Sequence, residues 1–261
     1  MRFEGKVVFI TGGARGLGKA LAKAFLDEGA SVGVNARSRE HLASFEEELK
    51  GAPVLALPAD ISNYEEMSAT LKKVIETWGK IDILIHNAGI VNPLSPSDKM
   101  KKEDFDRTID VNVKGAFYVL QIFGKKMIEQ GSGRIINISS QVAFFGEKGF
   151  LPYTISKAAL NVMTTTLAYE WSKYGVTVCS LAPGFIKGGM NEGLVRKQPF
   201  VDHLSSRTPL GRMATVEEFV STVLFLASDQ AQYVNGTTVV MDGGMTGYTQ
   251  EPLLDMIMKG K

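Results

Sequence analysis

The sequence predicts an α/β protein: one doubly wound domain over residues 1–261, with a seven-stranded parallel sheet and helices on both faces. Three observations predict it. Seven short apolar runs alternate with longer stretches of helical periodicity. All but the third run are rich in Val and Ile, and the runs are apolar on both faces, like strands buried between helix layers. A glycine-rich turn follows the first run and opens a helical pattern.

The first run is KVVFI (6–10). After its turn comes LGKALAKAFLDEG (17–29), where Leu17, Leu21, Ala24 and Phe25 recur at helical spacing and Gly29 suits the stop. The later runs are SVGVNA (31–36), VLALP (54–58), DILIH (82–86), RIINIS (134–139), VTVCSLA (176–182) and TTVVM (237–241). Strand–helix–strand repetition implies parallel pairing with right-handed crossovers. No low-complexity linker or charge block divides the chain. Two segments break the rhythm: a Pro/Ser-rich loop over 90–104 and a Gly/Pro-punctuated insertion over 183–215 with small helical pieces. Both follow carboxyl ends of strands, where open α/β sheets bind ligands. The insertion reads as a lid or as a disordered loop. Phe185, Met190, Leu194 and Phe200 offer apolar surface that favours the lid.

A formal net charge of +1 argues against nucleic acid as the main partner, because phosphate binding needs a basic face. No run approaches the roughly 18–20 apolar residues that span a bilayer. Cys179 is the single cysteine, so no disulfide forms within the chain. The start, MRFEGKVVFITGG, carries charges at Arg2, Glu4 and Lys6 and leads into a strand, unlike a secretion signal. A soluble, cytoplasmic protein is expected.

The turn TGGARGLG (11–18) has glycines where side chains would obstruct the backbone or an approaching phosphate. Gly12, Gly16 and Gly18 let the chain turn, approach a pyrophosphate and pack the next helix, whose positive end faces the anion. Folds that bind NAD commonly place a carboxylate after the second strand for the ribose hydroxyls. Here that place reads VNARSRE, with Asn35, Arg37, Ser38 and Arg39 before any acid. Guanidinium groups attract a 2′-phosphate that a carboxylate would repel, and Arg15 in the turn lies within reach of it. NADP(H) is therefore expected ahead of NAD(H); otherwise Arg37 and Arg39 are solvated charges at a helix entrance. Asp60 in PADIS accepts from an adenine amino group, or caps the next helix with Ser62, or does both.

Reduction of a ketone by hydride leaves an alkoxide that needs a proton. Tyr153 and Lys157, four apart, share a helix face. A free phenol ionises near a pKa of about 10, and a neighbouring cation lowers that value. Pro152 marks the helix entrance. Ser140, just past the strand ending NISS, is placed to donate to a substrate oxygen. Asn112, in DVNVKG, lies in a helical pattern, where asparagine is a poor interior residue. It either holds a water that connects Lys157 to solvent or is a buried structural amide.

Together these residues resemble the short-chain dehydrogenase/reductase family over residues 5 to 245. TGGARGLG matches its TGxxxGxG turn, HNAG (86–89) its NNAG motif with His86 for the first Asn, and YTISK its YxxxK site; Ser140 stands thirteen residues before Tyr153, and Pro183-Gly184 matches the turn after the sixth strand. The resemblance implies a Rossmann fold and a tetrad of Asn112, Ser140, Tyr153 and Lys157. Tyr153 would be the general acid/base, Ser140 would polarise the carbonyl, Lys157 would hold the nicotinamide ribose and lower the phenol pKa, and Asn112 would support the proton relay. Asn87, Ala88, Gly89, Leu17, Ile61, Pro183 and Gly184 would line the cofactor, with Ile186 meeting the carboxamide through its backbone. A Thr or Ser that usually follows the Pro-Gly turn is replaced by Lys187-Gly188-Gly189. A homotetramer is implied, with helices around 106–130 and 153–174 at one interface and the C-terminal strand and tail at another. The tail 246–261 would close a neighbour's site or fray. No metal is expected.

Substrate walls are expected from residues 91–99, 141–151 and 185–212. Gln141, Phe144, Phe145, Phe150 and Phe185, beside Ser140 and Tyr153, make an aromatic surround that suits a ketone or secondary alcohol of moderate size. In general pattern the chain resembles 3-oxoacyl-carrier-protein reductases and sugar or polyol dehydrogenases. Carrier-protein reductases tend to place arginines near EQGSGR and SKYG, where this chain has Arg134 and Lys173. The reading from another class is a non-catalytic NADP(H) sensor, against which the complete tetrad argues.

Overall fold

The β-branched runs pair into one sheet because each presents apolar side chains above and below its backbone. A computed structural model describes residues 1–188 and 198–247. The strands are β1 (Val7–Thr11), β2 (Ser31–Ala36), β3 (Val54–Pro58), β4 (Ile83–His86), β5 (Gly133–Ile138), β6 (Val176–Pro183) and β7 (Thr238–Met241). They lie in the order β3-β2-β1-β4-β5-β6-β7, and every pair is parallel. The chain reverses its winding between β1 and β4, which opens the crevice at their carboxyl ends.

Alternation along the strands divides the core in two. Val8, Ile10, Val32, Val34, Ile85 and Ile136 pack under α1 (Gly16–Asp27), α2 (Arg39–Glu48) and the last long helix, α8 (Val216–Ala227). Val7, Phe9, Leu84, Ile135 and Val178 face α3 (Tyr64–Trp78), α5 (Ala116–Gln130) and α6 (Leu151–Trp171). The remaining described helices are α4 (Lys102–Ile109) and α7 (Gln198–Ser206). α7 is the helical piece expected inside the insertion; Met190 and Leu194 lie outside the described residues, as does the tail from 248. Among the described residues no helix is long and apolar enough to cross a membrane.

Side chains cap the entrances of α2, α3 and α8, whereas α1, α4 and α6 start without a side-chain cap. Ser38 accepts from the His41 amide to start α2, Asn63 from the Glu66 amide to start α3, and Thr215 forms a reciprocal box with Glu218 at α8. α1 has neither a capping side chain nor an acid in its first turn. Asp60 accepts from the amide and hydroxyl of Ser62, so the pair forms a turn ahead of the helix, and the cap itself is Asn63. That corrects the expectation that Ser62 caps.

The helical pattern around Asn112 is not one α-helix. α4 and α5 are joined by a widened π turn over Asp110–Gly115. Such turns rotate the residues that follow and let a side chain leave the regular ladder. Asn112 sits in the middle of this one and is buried.

Candidate active site

The cofactor turn is built from below. Thr11 ends β1, and its Oγ1 accepts from the amides of Asn87 and Ala88, each at 3.0 Å. Asn87 returns its Nδ2 to the Thr11 carbonyl at 3.0 Å. The loop after β4 is thus fixed to the glycine turn. Gly12 and Gly16 have φ of 66° and 53°, a region that side chains rarely enter. A Cβ on Gly18 would lie 2.4 Å from the Gly12 carbonyl oxygen and 2.9 Å from Asn87 Nδ2. The chain can follow this path only without those side chains. Asn35 is buried beneath, accepting from the Gly12 amide at 3.3 Å and donating to the Ala59 carbonyl at 3.0 Å. It supports the turn from inside instead of facing a ligand, which corrects its expected role as a direct contact.

These features fit a dinucleotide. The bare entrance of α1 leaves its first amides to an outside acceptor, and the glycine cradle gives a pyrophosphate room to approach them. Arg15 and Arg37 are exposed beside it. Arg37 makes one loose ion pair with Asp60 at 3.7 Å. Exposed pairs of this kind are weak and yield to a better anion. Ser38 Oγ is engaged with the α2 cap, and Ile61 is buried against Gly115, whose Cβ would come within 3.2 Å of the Ile61 backbone. Pro183 closes β6, and the Gly184 amide donates to the Met241 carbonyl at 2.8 Å. Ile186 is buried and bridges to Ala214.

On the other side of the crevice, α6 brings in Tyr153 and Lys157, both buried. Pro152 fits its first turn, where an amide would lack a partner in any case. Lys157 Nζ donates to the Ile138 carbonyl at 2.7 Å and stands 5.7 Å from the Tyr153 ring centre. Ser140 follows β5, half-buried, with its Oγ accepting from the Val142 amide at 3.4 Å. Asn112 accepts from the Ile90 amide and donates to the Ile90 carbonyl, both at 2.8 Å, and donates to Ser156 Oγ at 3.0 Å. A Cβ on Gly89 would lie 3.3 Å from Asn112 Oδ1 and 3.6 Å from Lys157 Nζ. Gly89, Asn112 and Lys157 therefore converge, and the four residues expected of the tetrad meet in one corner.

Burial dominates the electrostatics of that corner. It pushes the Tyr153 phenol up to about 12, with the Ser140 hydroxyl pulling the other way, and it holds Lys157 down to about 8. The expected lowering of the phenol by Lys157 is thus not a property of the protein alone. Removal of water from a group of neutral ground state outweighs the Ser140 hydrogen bond.

Of the expected substrate contacts, Phe150 lies beside Tyr153, with ring centres 6.4 Å apart, and Phe145 is half-buried. Phe144 is 47% exposed. Gln141 points elsewhere. It is buried, its Nε2 donates to Met245 Sδ at 3.2 Å, and its Oε1 sits where a Gly184 Cβ would meet it at 2.9 Å. The short helical turn after Ser140 rotates it under the floor. Phe185 lines a cavity of about 510 Å³ with Thr208, Leu210, Ala214, Met241 and Asp242, and neither Ser140 nor Tyr153 is among its walls. Two contributors escaped the sequence reading: Thr11, the acceptor for two amides, and Ser156, which receives Asn112. Both stood inside quoted motifs, but only their partners' positions reveal what they hold.

A parallel sheet with this glycine turn and this corner defines a nucleotide-dependent oxidoreductase, and residues 12–246 match the family model described as enoyl-(acyl carrier protein) reductase. The chain belongs to the short-chain dehydrogenase/reductase family, oxidoreductases that act on CH–OH and C=O groups. It is 40% identical to the 3-oxoacyl-(acyl-carrier-protein) reductase FabG of Thermotoga maritima, covering 94% of this chain and 99% of that one. It is 35% identical to gluconate 5-dehydrogenase of Gluconobacter oxydans, over 93% and 95%. Among solved structures it is similar to a gluconate 5-dehydrogenase from Burkholderia cenocepacia in complex with NADP and tartrate, with a TM-score of 0.87, 33% identity and coverage of 94% and 97%.

In the ligand-free protein the Tyr153 phenol is expected to stay protonated well above pH 10. Its raised pKa gives a stability contribution present below about pH 10 and lost as pH rises toward about 12. Tyrosinate absorbance, taken as wild type minus Tyr153→Phe, checks this; ionisation of this side chain below pH about 10 contradicts it.

Proposed function

We propose that the protein interconverts a ketone and a secondary alcohol with NADP(H), and that Asn112, Ser140, Tyr153 and Lys157 carry the chemistry. When bound, the cofactor supplies or accepts the hydride. In reduction, Tyr153 gives its proton to the substrate oxygen as negative charge grows there, and Ser140 holds that oxygen with a hydrogen bond. The phenolate left behind faces the Lys157 ammonium and regains a proton from solvent through it. Asn112 keeps Lys157 and the loop at Ile90 in register. The observation that carries this reading is the convergence of Gly89, Asn112 and Lys157 beside Tyr153, at the sheet edge that also presents the uncapped entrance of α1.

Asn87, Ala88 and Gly89 line the cofactor, with Gly12, Arg15, Gly16, Leu17, Gly18, Ile61, Pro183, Gly184 and Ile186 around it. Arg15 and Arg37 favour the 2′-phosphate. Their exposure and the weakness of the Arg37–Asp60 pair support this, and a similar solved structure holds NADP. Phe145 and Phe150 form the substrate wall. The relatives favour two substrate classes, 3-oxoacyl thioesters and sugar acids. Arg134 bears on the first. It is buried and donates to the Leu226 carbonyl, Thr177 Oγ1 and Cys179 Sγ, so it offers nothing to a docked carrier protein. The protein assembles as a homotetramer. Phe117, Val162 and Tyr169 on α5 and α6, and Phe225 and Val240 on α8 and β7, expose the apolar surface that two interfaces would cover.

Loss of NADPH absorbance with a panel of ketones, including a keto sugar acid and a 3-oxoacyl thioester, tests the reaction. Turnover is expected, with kcat lowered at least ~100-fold in Tyr153→Phe. Tight NADPH binding with no turnover across the panel would replace the enzyme by a sensor. Arg37→Asp is expected to weaken NADPH binding at least ~10-fold while NADH binding changes little; equal losses contradict the phosphate assignment. Light scattering is expected to give the mass of four chains, and a monomer in dilute solution rules the tetramer out.

A further inference from the structure

His86 stands where the family motif has asparagine, and the tetrad does not use it. Sheet register places it in a buried polar row. Thr11 lies one step beyond the Ile10–Ile85 pair, His86 pairs with Asn137, and Asn137 pairs with Ser180. Thr11, His86, Asn137 and Ser180 are all buried. The row therefore crosses β1, β4, β5 and β6 directly below the crevice, on the face covered by α6.

Counting protons fixes the direction of its bonds. A threonine hydroxyl has one proton and two lone pairs. Thr11 Oγ1 already accepts from the Asn87 and Ala88 amides, so its proton goes to His86 Nδ1, 3.2 Å away. His86 Nδ1 is then an acceptor, and the neutral ring carries its proton on Nε2. At the other end, Thr164 Oγ1 on α6 donates to the Leu160 carbonyl at 2.9 Å. It must accept from Asn137 Nδ2 at 2.8 Å and from the Ser180 hydroxyl at 2.6 Å. That sets the Asn137 amide with its oxygen turned away from α6. Among the described residues this buried Oδ1 has no partner. A buried acceptor without a donor is costly. On the neighbouring strand, His86 pairs in register with Asn137, and the Thr11 bond to Nδ1 leaves its Nε2–H as a donor toward that row.

We propose that His86 is a positioning residue whose neutral ring joins Thr11 to Asn137 Oδ1, directly or through one water, and so ties the cofactor turn to the helix carrying Tyr153 and Lys157. The consequence rests on the proposed role of that pair. A disturbance at the glycine turn would reach α6 along Thr11, His86, Asn137 and Thr164, the Thr11–His86 and Asn137–Thr164 bonds being fixed in direction and the middle link being the proposed one. The ring must stay neutral to do this. Burial, and then the Lys157 ammonium, hold its pKa down to about 3. Lys157 is the charged group that acts on it. Asparagine at this position offers one acceptor and one donor, so it can make the same two links; leucine can make neither.

Two measurements on the full-length protein test the idea. Nitrogen NMR of labelled histidine, with His86 assigned from His86→Asn, is expected to show the Nε2–H tautomer unchanged from about pH 8 to about pH 5. A proton on Nδ1, or titration within that window, overturns the proposal. Binding of NADPH alone is expected to weaken roughly tenfold in His86→Leu and to be restored within about twofold in His86→Asn. Wild-type affinity in the leucine variant, or equal damage in both, also overturns it. Should His86→Leu fail to fold, the tautomer decides. Neither readout needs a ketone, so failure of the proposed reaction and failure of this link are told apart.

Discussion

The carboxamide of Asn112 is the constraint on which the rest of the site depends. It meets both the amide and the carbonyl of Ile90, and its remaining proton reaches Ser156 on α6. One side chain thereby holds the loop after β4, the junction of α4 and α5, and the helix of Tyr153. A regular helix would not deliver the amide there, and the π turn over Asp110–Gly115 accommodates it. The turn also brings Gly115 so close to Ile61 that a methyl group would not fit without movement. This is the reason the sequence left open for an asparagine in a helical pattern, and it is structural and positional at once.

The electrostatics follow from the same close fit. With water removed, the phenol holds its proton more firmly than in solution and the lysine holds its own less firmly. In the proposed reaction the Tyr153 proton therefore stays in place until an adjacent oxygen becomes basic enough to take it. A negative oxygen forming beside Ser140 meets that condition. In the reverse direction the phenolate must be stabilised by positive charge nearby, and Lys157, anchored to the Ile138 carbonyl, is the protein's own source of it.

Period and composition made the fold legible. The run VLALP was read at the bounds of β3, and SVGVNA at those of β2. Paired apolar faces announced the two helix layers, and TGGARGLG announced the turn. The YTISK spacing placed Tyr153 and Lys157 on one face, because a helix repeats on that interval. What stayed hidden depended on direction. Gln141 was read as a substrate contact, yet the short turn after Ser140 sends it toward Met245. Asn35 was grouped with the residues after the second strand, yet its side chain is buried and bonded to the Gly12 amide and the Ala59 carbonyl. The phenol pKa was read from one neighbour, when burial from all sides sets it. None of these is encoded in spacing alone; each needs the positions of residues far along the chain.

The central claim is that this corner exchanges a hydride and a proton with a carbonyl. It is tested most directly by following the label from NADPH deuterated at the reactive position of its nicotinamide into the product alcohol. The account predicts deuterium on the carbinol carbon from one face of the ring, with the hydroxyl proton drawn from solvent. Product carrying solvent hydrogen on that carbon, or label delivered equally from both faces, would contradict it.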